Sequence, residues 1–364
     1  MESPAAALPA IDAGDLAGKA FACLPDCGFC CTMQPELDAA EAAALRQRVT
    51  PLRVAHDPNG RMYLQLKGGC GACTLLERRA CSQYDARPQH CRWFPFHLYF
   101  GETAEAYLNY SCRGVERRAL GHLEGAFRET VLASADPGKV RREAADARAT
   151  FAEFRRRAEA AGAWADPAPL VAEARREAAA LFTRAGLERA ARRAGERVGA
   201  DALAEMALEP FAHPQPVSRP FYLDRRLRWL SFSRRGAGGL LPAEMDESGR
   251  FTPAGAAVAG LDRWQEPPPA LAEALGAVLA DRLLARAVFV GGVFERVDEL
   301  DYEGSVAEAF HARLAETAAA LAARARVVAA LEPALASDPA LLADEAHRFF
   351  DTEFLDQPTI GGFL

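Results

Sequence analysis

The sequence predicts a mainly α protein of the α+β class, in which a small irregular cysteine-rich metal-binding domain with short strands precedes an Ala/Arg-rich helical bundle. Two observations carry this reading. All nine cysteines lie between Cys23 and Cys112, a clustering that random core filling does not produce. Beyond Asp136-Pro137-Gly138, apolar residues recur at alternating spacings of four and three among many arginines and glutamates, the pattern of amphipathic helices. A chain of 364 residues is long enough for two domains. The expected division is a loosely ordered lead-in over 1–20, a cysteine domain over 21–135 and a helical domain over 136–364, with a Pro/Gly-rich interruption at 213–269.

Taken in order, the Ala-, Pro- and Gly-rich start has no periodicity. A helix is expected near Glu36 to Val49 and a strand near Arg61 to Leu66. Strands follow near His97 to Phe100 and Glu105 to Tyr110, separated by Gly101. A helix from about Val115 to Ala133 leads to the Asp-Pro-Gly boundary. Beyond it, one stripe runs through Val140, Ala144, Ala147, Phe151, Phe154 and Ala158. A second runs through Leu170, Ala174, Ala178, Leu181 and Ala185, and a third through Val306, Phe310, Leu314, Thr317, Leu321 and Val328. Between His213 and Pro269 the prolines and the Gly-rich stretch from Arg234 to Gly260 predict loops with a few strands, placed as a cap or lid. There is no internal repeat of fixed period.

Charge narrows the partners. The charges of the first 120 residues balance, so the formal charge of -7 belongs to the helical part, which disfavours nucleic acid. The most apolar long segment, Ala270 to Phe294, is interrupted by Glu273, Asp281, Arg282 and Arg286, so no membrane span is expected. The start lacks a basic segment followed by an apolar one, and a cytoplasmic location is expected. A reducing compartment turns clustered thiols toward metal ligation or redox chemistry and away from disulfides.

The first cluster reads Cys23-Leu-Pro-Asp-Cys27-Gly-Phe-Cys30-Cys31, with Gly28 permitting the tight turn that lets neighbouring sulfurs meet one centre. In an extended backbone Cys30 and Cys31 would point apart and serve two centres. The second cluster comprises Cys70, Cys73, Cys81, Cys91 and Cys112, presented from separate loops. Taking Cys70 as the spare leaves eight candidate metal ligands in two sets of four: Cys23, Cys27, Cys30, Cys31, Cys73, Cys81, Cys91 and Cys112. Sulfur-only sites select zinc or iron-sulfur clusters. Four thiolates leave a net negative site, which Arg78, Arg79, Arg87, Arg92 and Arg113 are positioned in sequence to offset.

The run Gly69-Cys70-Gly-Ala-Cys73, followed by Cys81-Ser-Gln-Tyr84-Asp-Ala-Arg87-Pro88-Gln-His90-Cys91-Arg92-Trp93-Phe94-Pro95, resembles the CxxCxxCC cysteine-cluster family, also called YkgJ-type or zinc- or iron-chelating domains. The resemblance covers roughly residues 23 to 113, and the Arg-Pro-x-x-Cys-Arg-x-Phe-Pro portion is its most specific part. One departure is the extra residue between Cys23 and Cys27. The resemblance implies metal or iron-sulfur binding by these cysteines. One branch, flagellin lysine N-methylase, is similar in layout and would imply S-adenosylmethionine and a protein substrate. Around the cysteines, Arg87 is expected to satisfy loop carbonyls, Pro88 and Pro95 to fix backbone angles, and Trp93 and Phe94 to shield the site. His90 is expected as an outer donor or an exposed side chain.

Cys23-x-x-x-Cys27-x-Phe29-Cys30 also matches the radical S-adenosylmethionine pattern, whose context would be a βα barrel. No Gly-x-Gly-x-x-Gly helix entry, phosphate-binding Gly-Lys-Ser/Thr loop or Gly-x-Ser-x-Gly elbow accompanies it. The sequence therefore favours one or two 4Fe-4S clusters over zinc and leaves two classes open. One is an enzyme acting on a protein substrate, and the other is a zinc-stapled scaffold with a protein partner.

Overall fold

The computed structural model describes residues 10–58, 60–115, 125, 127–354 and 360–362. Among these the protein is mainly helical with several small sheets, as the periodicities predict. The cysteine region begins with strand β1 (Glu36–Leu37) and helix α1 (Ala39–Arg46), so the expected helix is shorter and is preceded by a strand residue pair. Asp38 explains where it starts: its carboxylate accepts from the Glu41 amide while the Glu41 side chain accepts from the Asp38 amide, a reciprocal cap. Strands β2 (Val54–His56) and β3 (Met62–Leu64) complete a three-stranded antiparallel sheet in the order β1-β3-β2. A hairpin of β4 (Leu76–Glu77) and β5 (Ala80–Cys81) and the short helix α2 (Gln89–Trp93) carry Cys81 and Cys91.

Strands β6 (Phe96–Phe100) and β7 (Ala104–Leu108) pair antiparallel and are buried at every position. Side chains alternate across the pleat, so Phe96, Leu98, Phe100, Ala106 and Leu108 enter one hydrophobic core. Tyr99 and Tyr107 enter the larger core on the opposite face. The helix expected from Val115 to Ala133 falls largely on residues 116–124 and 126, outside the described set; Phe127–Leu132 forms a π-helical turn. Of the lead-in, Gly14–Leu16 makes a 3₁₀ turn with Leu16 fully buried, and Asp12 bridges to Glu105 beside β7.

Helix α3 (Pro137–Ala160) starts at Asp136, whose carboxylate accepts from the Gly138 amide at 2.8 Å. All six residues of its predicted stripe are buried. Val140, Ala144 and Ala147 pack beneath the β6–β7 sheet, whereas Phe151, Phe154 and Ala158 belong to the helical core, so one helix joins the two. The second stripe is not one helix. Helix α4 (Pro167–Glu177) gives way to a 3₁₀ segment at Ala178–Phe182, and α5 (Arg184–Arg193) begins afresh with Thr183 accepting from the Gly186 amide. Ala185 is consequently exposed and Gly186 and Leu187 are buried in its place.

After α6 (Ala200–Met206), the few strands expected among the loops of this segment are β8 (Phe221–Leu223), β9 (Trp229–Arg235), β10 (Gly239–Met245) and β11 (Phe251–Pro253), joined in one antiparallel sheet. Helices α7 (Pro269–Val278) and α8 (Ala287–Glu299) return the chain to the bundle. Helix α9 (Val306–Leu331), opened by the Ser305–Glu308 capping box, runs through the core with its whole predicted stripe buried. Helix α10 (Pro339–Phe350) packs on α9, and β12 (Ile360–Gly362) adds parallel to β6. Among the described residues no sheet exceeds four strands and no βα barrel occurs, so the radical S-adenosylmethionine pattern lacks its scaffold. None of the described helices is long and apolar enough to cross a membrane.

Candidate metal centre

The first cysteine loop turns at Gly28, whose φ of 56° is left-handed. A side chain there would be strained and would press on the Arg79 carbonyl, Leu76 and Trp229 at 3.2 Å. Gly28 opens a 3₁₀ turn over Phe29–Thr32, closed by the Cys31 amide donating to the Gly28 carbonyl at 3.0 Å. This corrects the expectation for Cys30 and Cys31. The backbone between them is helical rather than extended, and their sulfurs hydrogen-bond each other. The Cys31 carbonyl in turn accepts from the Cys73 amide at 2.7 Å, which fastens the two cysteine clusters together.

Cys23, Cys30, Cys31, Cys73, Cys81 and Cys91 line one cavity of about 410 Å³, walled by apolar residues that include Leu64, Leu75 and Leu76. Cys27 and Cys112 do not line it but lie within its electrostatic reach. The charge of Cys30 acts on all seven other candidate ligands: Cys23, Cys27, Cys31, Cys73, Cys81, Cys91 and Cys112. Cys70 stands apart, its thiol donating to the Gly249 carbonyl at 3.8 Å. The thiols line a void and do not meet at a point: among the described residues no three His, Cys, Asp or Glu side chains form a group that could hold a metal ion.

Burial pushes Cys27 and Cys73 up to about 11, and raises Cys23, Cys81, Cys91 and Cys112 as well. Cys30 is the exception, held below the ordinary thiol range by the hydrogen bond from Cys31, whose own thiol is driven up by the same contact. Desolvation disfavours the thiolate, and only a cation brought into the cavity reverses that balance. A soft divalent metal or an iron-sulfur cluster fits this donor chemistry, whereas hard oxygen-seeking cations do not.

Positive charge comes from a different set than the sequence implied. Arg87 lies 3.7 Å over the Tyr84 ring, donates from Nε to the Tyr84 carbonyl at 2.9 Å, and favours the thiolates of Cys23, Cys30, Cys81 and Cys91. Tyr84 also hydrogen-bonds the Cys23 sulfur. Arg79 faces Cys27, and Lys67, which the sequence reading passed over, faces Cys73. Arg78 and Arg92 are exposed. Arg113 is buried and turned away, bound to Glu345 and the Leu223 carbonyl. Phe94 packs against the same small core as Cys27, Cys30 and Cys31, and Trp93 is buried in the neighbouring core and donates to Ser134. His90 is half-buried in α2, and the desolvation of its ring lowers it to about 4.

The β8–β11 sheet supplies the remaining wall. Trp229 donates from Nε1 to the Cys27 carbonyl at 3.0 Å, and the Arg79 guanidinium stacks 3.8 Å over its ring. Arg78 and Arg79 both adopt left-handed backbone in the two-residue turn between β4 and β5. Glu247 holds that turn by accepting from the Arg79 amide at 2.5 Å while pairing with Lys67 at 3.1 Å. No local signal in the sequence marks Trp229 or Glu247, because both lie well over 100 residues from the cysteines they support.

Residues 22–113 match the family model named CxxCxxCC, described as a "Putative zinc- or iron-chelating domain". No curated protein and no solved structure matches the chain.

Proposed function

From the premise that residues 22–113 form a CxxCxxCC domain, we propose that this chain holds two four-thiolate metal centres, each a 4Fe-4S cluster. The cavity carries this reading. A lone zinc ion takes four ligands, whereas six cysteines line this one space of about 410 Å³. Mutual electrostatic influence divides the ligands. Cys73 and Cys91 act on Cys31, Cys81 acts on Cys73 and Cys91, and Cys73 acts on Cys91, whereas Cys23 acts on Cys27 and both act on Cys112. Cys30 reaches both groups and completes the second as a set of four.

When bound, such fully thiolate-ligated clusters would supply electron transfer. The chain's own part is to exclude water with Phe94, Leu75 and Leu76, and to balance thiolate charge with Arg87, Arg79 and Lys67. Protein modification of the lysine N-methylase kind would use the same centre, and calorimetry with S-adenosylmethionine on the metal-loaded protein tests that use directly.

Anaerobic purification with metal analysis tests the centres. Brown protein with about eight irons per chain is expected, and Cys91→Ser and Cys112→Ser should each lose about half of the iron. Colourless protein with stoichiometric zinc overturns the cluster assignment in favour of a zinc-stapled scaffold. Loss of all iron from either single variant overturns the division into two centres.

A further inference from the structure

A second cavity, of about 490 Å³, lies between the β6–β7 sheet and helices α3, α4 and α8. That volume is within the range of small-ligand sites. Its body is apolar, with Phe151, Val171, Val290 and Phe294 among the walls, and Tyr99 and Glu105 stand at its polar end. Helix α8 makes room for the tyrosine: a Cβ on Gly291 would fall 1.8 Å from the Tyr99 hydroxyl oxygen.

Glu105 is the unusual group. It is only 8% exposed, in a strand otherwise composed of alanine, tyrosine and leucine. Its Oε2 accepts from the Ala287 amide at the start of α8, at 2.5 Å. Among the described residues nothing hydrogen-bonds its Oε1. The basic side chains around the cavity are already engaged. Arg286 pairs with Asp351 at 3.3 Å and lies 3.9 Å from Asp15, and Arg175 pairs with Asp281 at 3.5 Å. Asp12 also lines the cavity, as does Glu102, which lies 3.9 Å from Arg155, so the charge left over there, on Glu105 and Asp12, is negative.

We propose that this cavity binds a small organic ammonium ion, its apolar body against Phe151, Val171, Val290 and Phe294 and its charged nitrogen paired with Glu105. Burial pushes Glu105 up to about 7, against the Ala287 hydrogen bond and the Arg286 charge and with the help of Asp15 and Asp12. An arriving cation compensates that burial, which a neutral ligand of the same shape cannot do.

Calorimetry on the metal-loaded full chain at pH 8 tests this, with butylammonium, 2-phenylethylammonium and tryptammonium as probes and 2-phenylethanol as the neutral match. At least one ammonium probe is expected to bind at least tenfold more tightly than the alcohol, without changing the visible spectrum of the metal centre. Glu105→Gln keeps an acceptor for the Ala287 amide and should remove that tenfold preference. Ala168→Trp, at an exposed position on the cavity rim, should weaken every probe while leaving the fold intact. The proposal fails if no ammonium probe binds, if the alcohol binds equally well, or if Glu105→Gln retains the preference.

Discussion

Glu105 shows how far one residue can depart from its ordinary chemistry when a sheet buries it. Burial is the main cause of its rise to about 7, from 4.5. Between those values the folded chain holds a proton that the unfolded chain has released, so this group's contribution to stability falls as pH rises through the window. Glu105→Gln does not titrate there. The variant should therefore gain stability relative to the parent between pH 5 and pH 8, by up to about 3 kcal/mol. Urea unfolding at both pH values measures the gain, and an equal difference at both would refute the shift. The clustering of the thiols is the residue-level feature most legible in the sequence, because cysteine spacing is a local property. Of their charge partners Arg79 and Arg87 were legible and Lys67 was not. Arg113 sits next to Cys112 in sequence, yet its side chain crosses to Glu345 and Tyr222 lies beside it.

At the scale of elements, the few strands that composition predicts among the loops of 213–269 join into one four-stranded sheet, β8–β11. Its inward-facing Phe221, Leu223, Trp229 and Met245 form a small core with Phe29, Ala72 and Leu76 from the cysteine region. The sheet thus props the cysteine loops from behind and does not cap a cleft. Trp229→Phe retains the ring but removes the N–H that holds the Cys27 carbonyl and weakens the stacking of Arg79. A loss of about 1–2 kcal/mol is expected, with faster metal loss to a chelator. Unchanged chelator kinetics would show that the sheet does not support the centre. The helical stripes of α3 and α9 were legible to the residue, since a 3.6 period survives any tertiary arrangement. The stripe through Ala185 failed because the Thr183 hydroxyl starts a new helix, and a single capping side chain outweighs a weak apolar periodicity there.

Across the whole molecule, the cysteine region and the bundle are joined by buried ion pairs as well as by α3. Arg113 and Glu345 are each about 3% exposed, and the Tyr222 hydroxyl donates to the same carboxylate at 2.7 Å. Arg348 donates to the carbonyls of Tyr110 and Cys112, both at 3.1 Å, so α10 positions the backbone of the last cysteine. Glu345→Ala strands a buried guanidinium and should cost about 3–5 kcal/mol. Denaturant unfolding is expected to show that loss together with reduced metal retention. The double variant Arg113→Met/Glu345→Leu should recover most of the stability, and a single-variant cost below about 1 kcal/mol would refute a role for the pair in joining the two regions.

By itself the sequence determined that clustered thiols of a kind suited to metal ligation span Cys23 to Cys112 and that amphipathic helices follow, because spacing and periodicity are written within short windows of chain. Tertiary structure alone decided that six of the nine thiols line one cavity, that Trp229 and Glu247 brace the loops around it, and that a second cavity opens beside β7. Those features are contacts between distant segments, as with the 202 residues separating Trp229 from Cys27, and only the folded chain brings such partners into register.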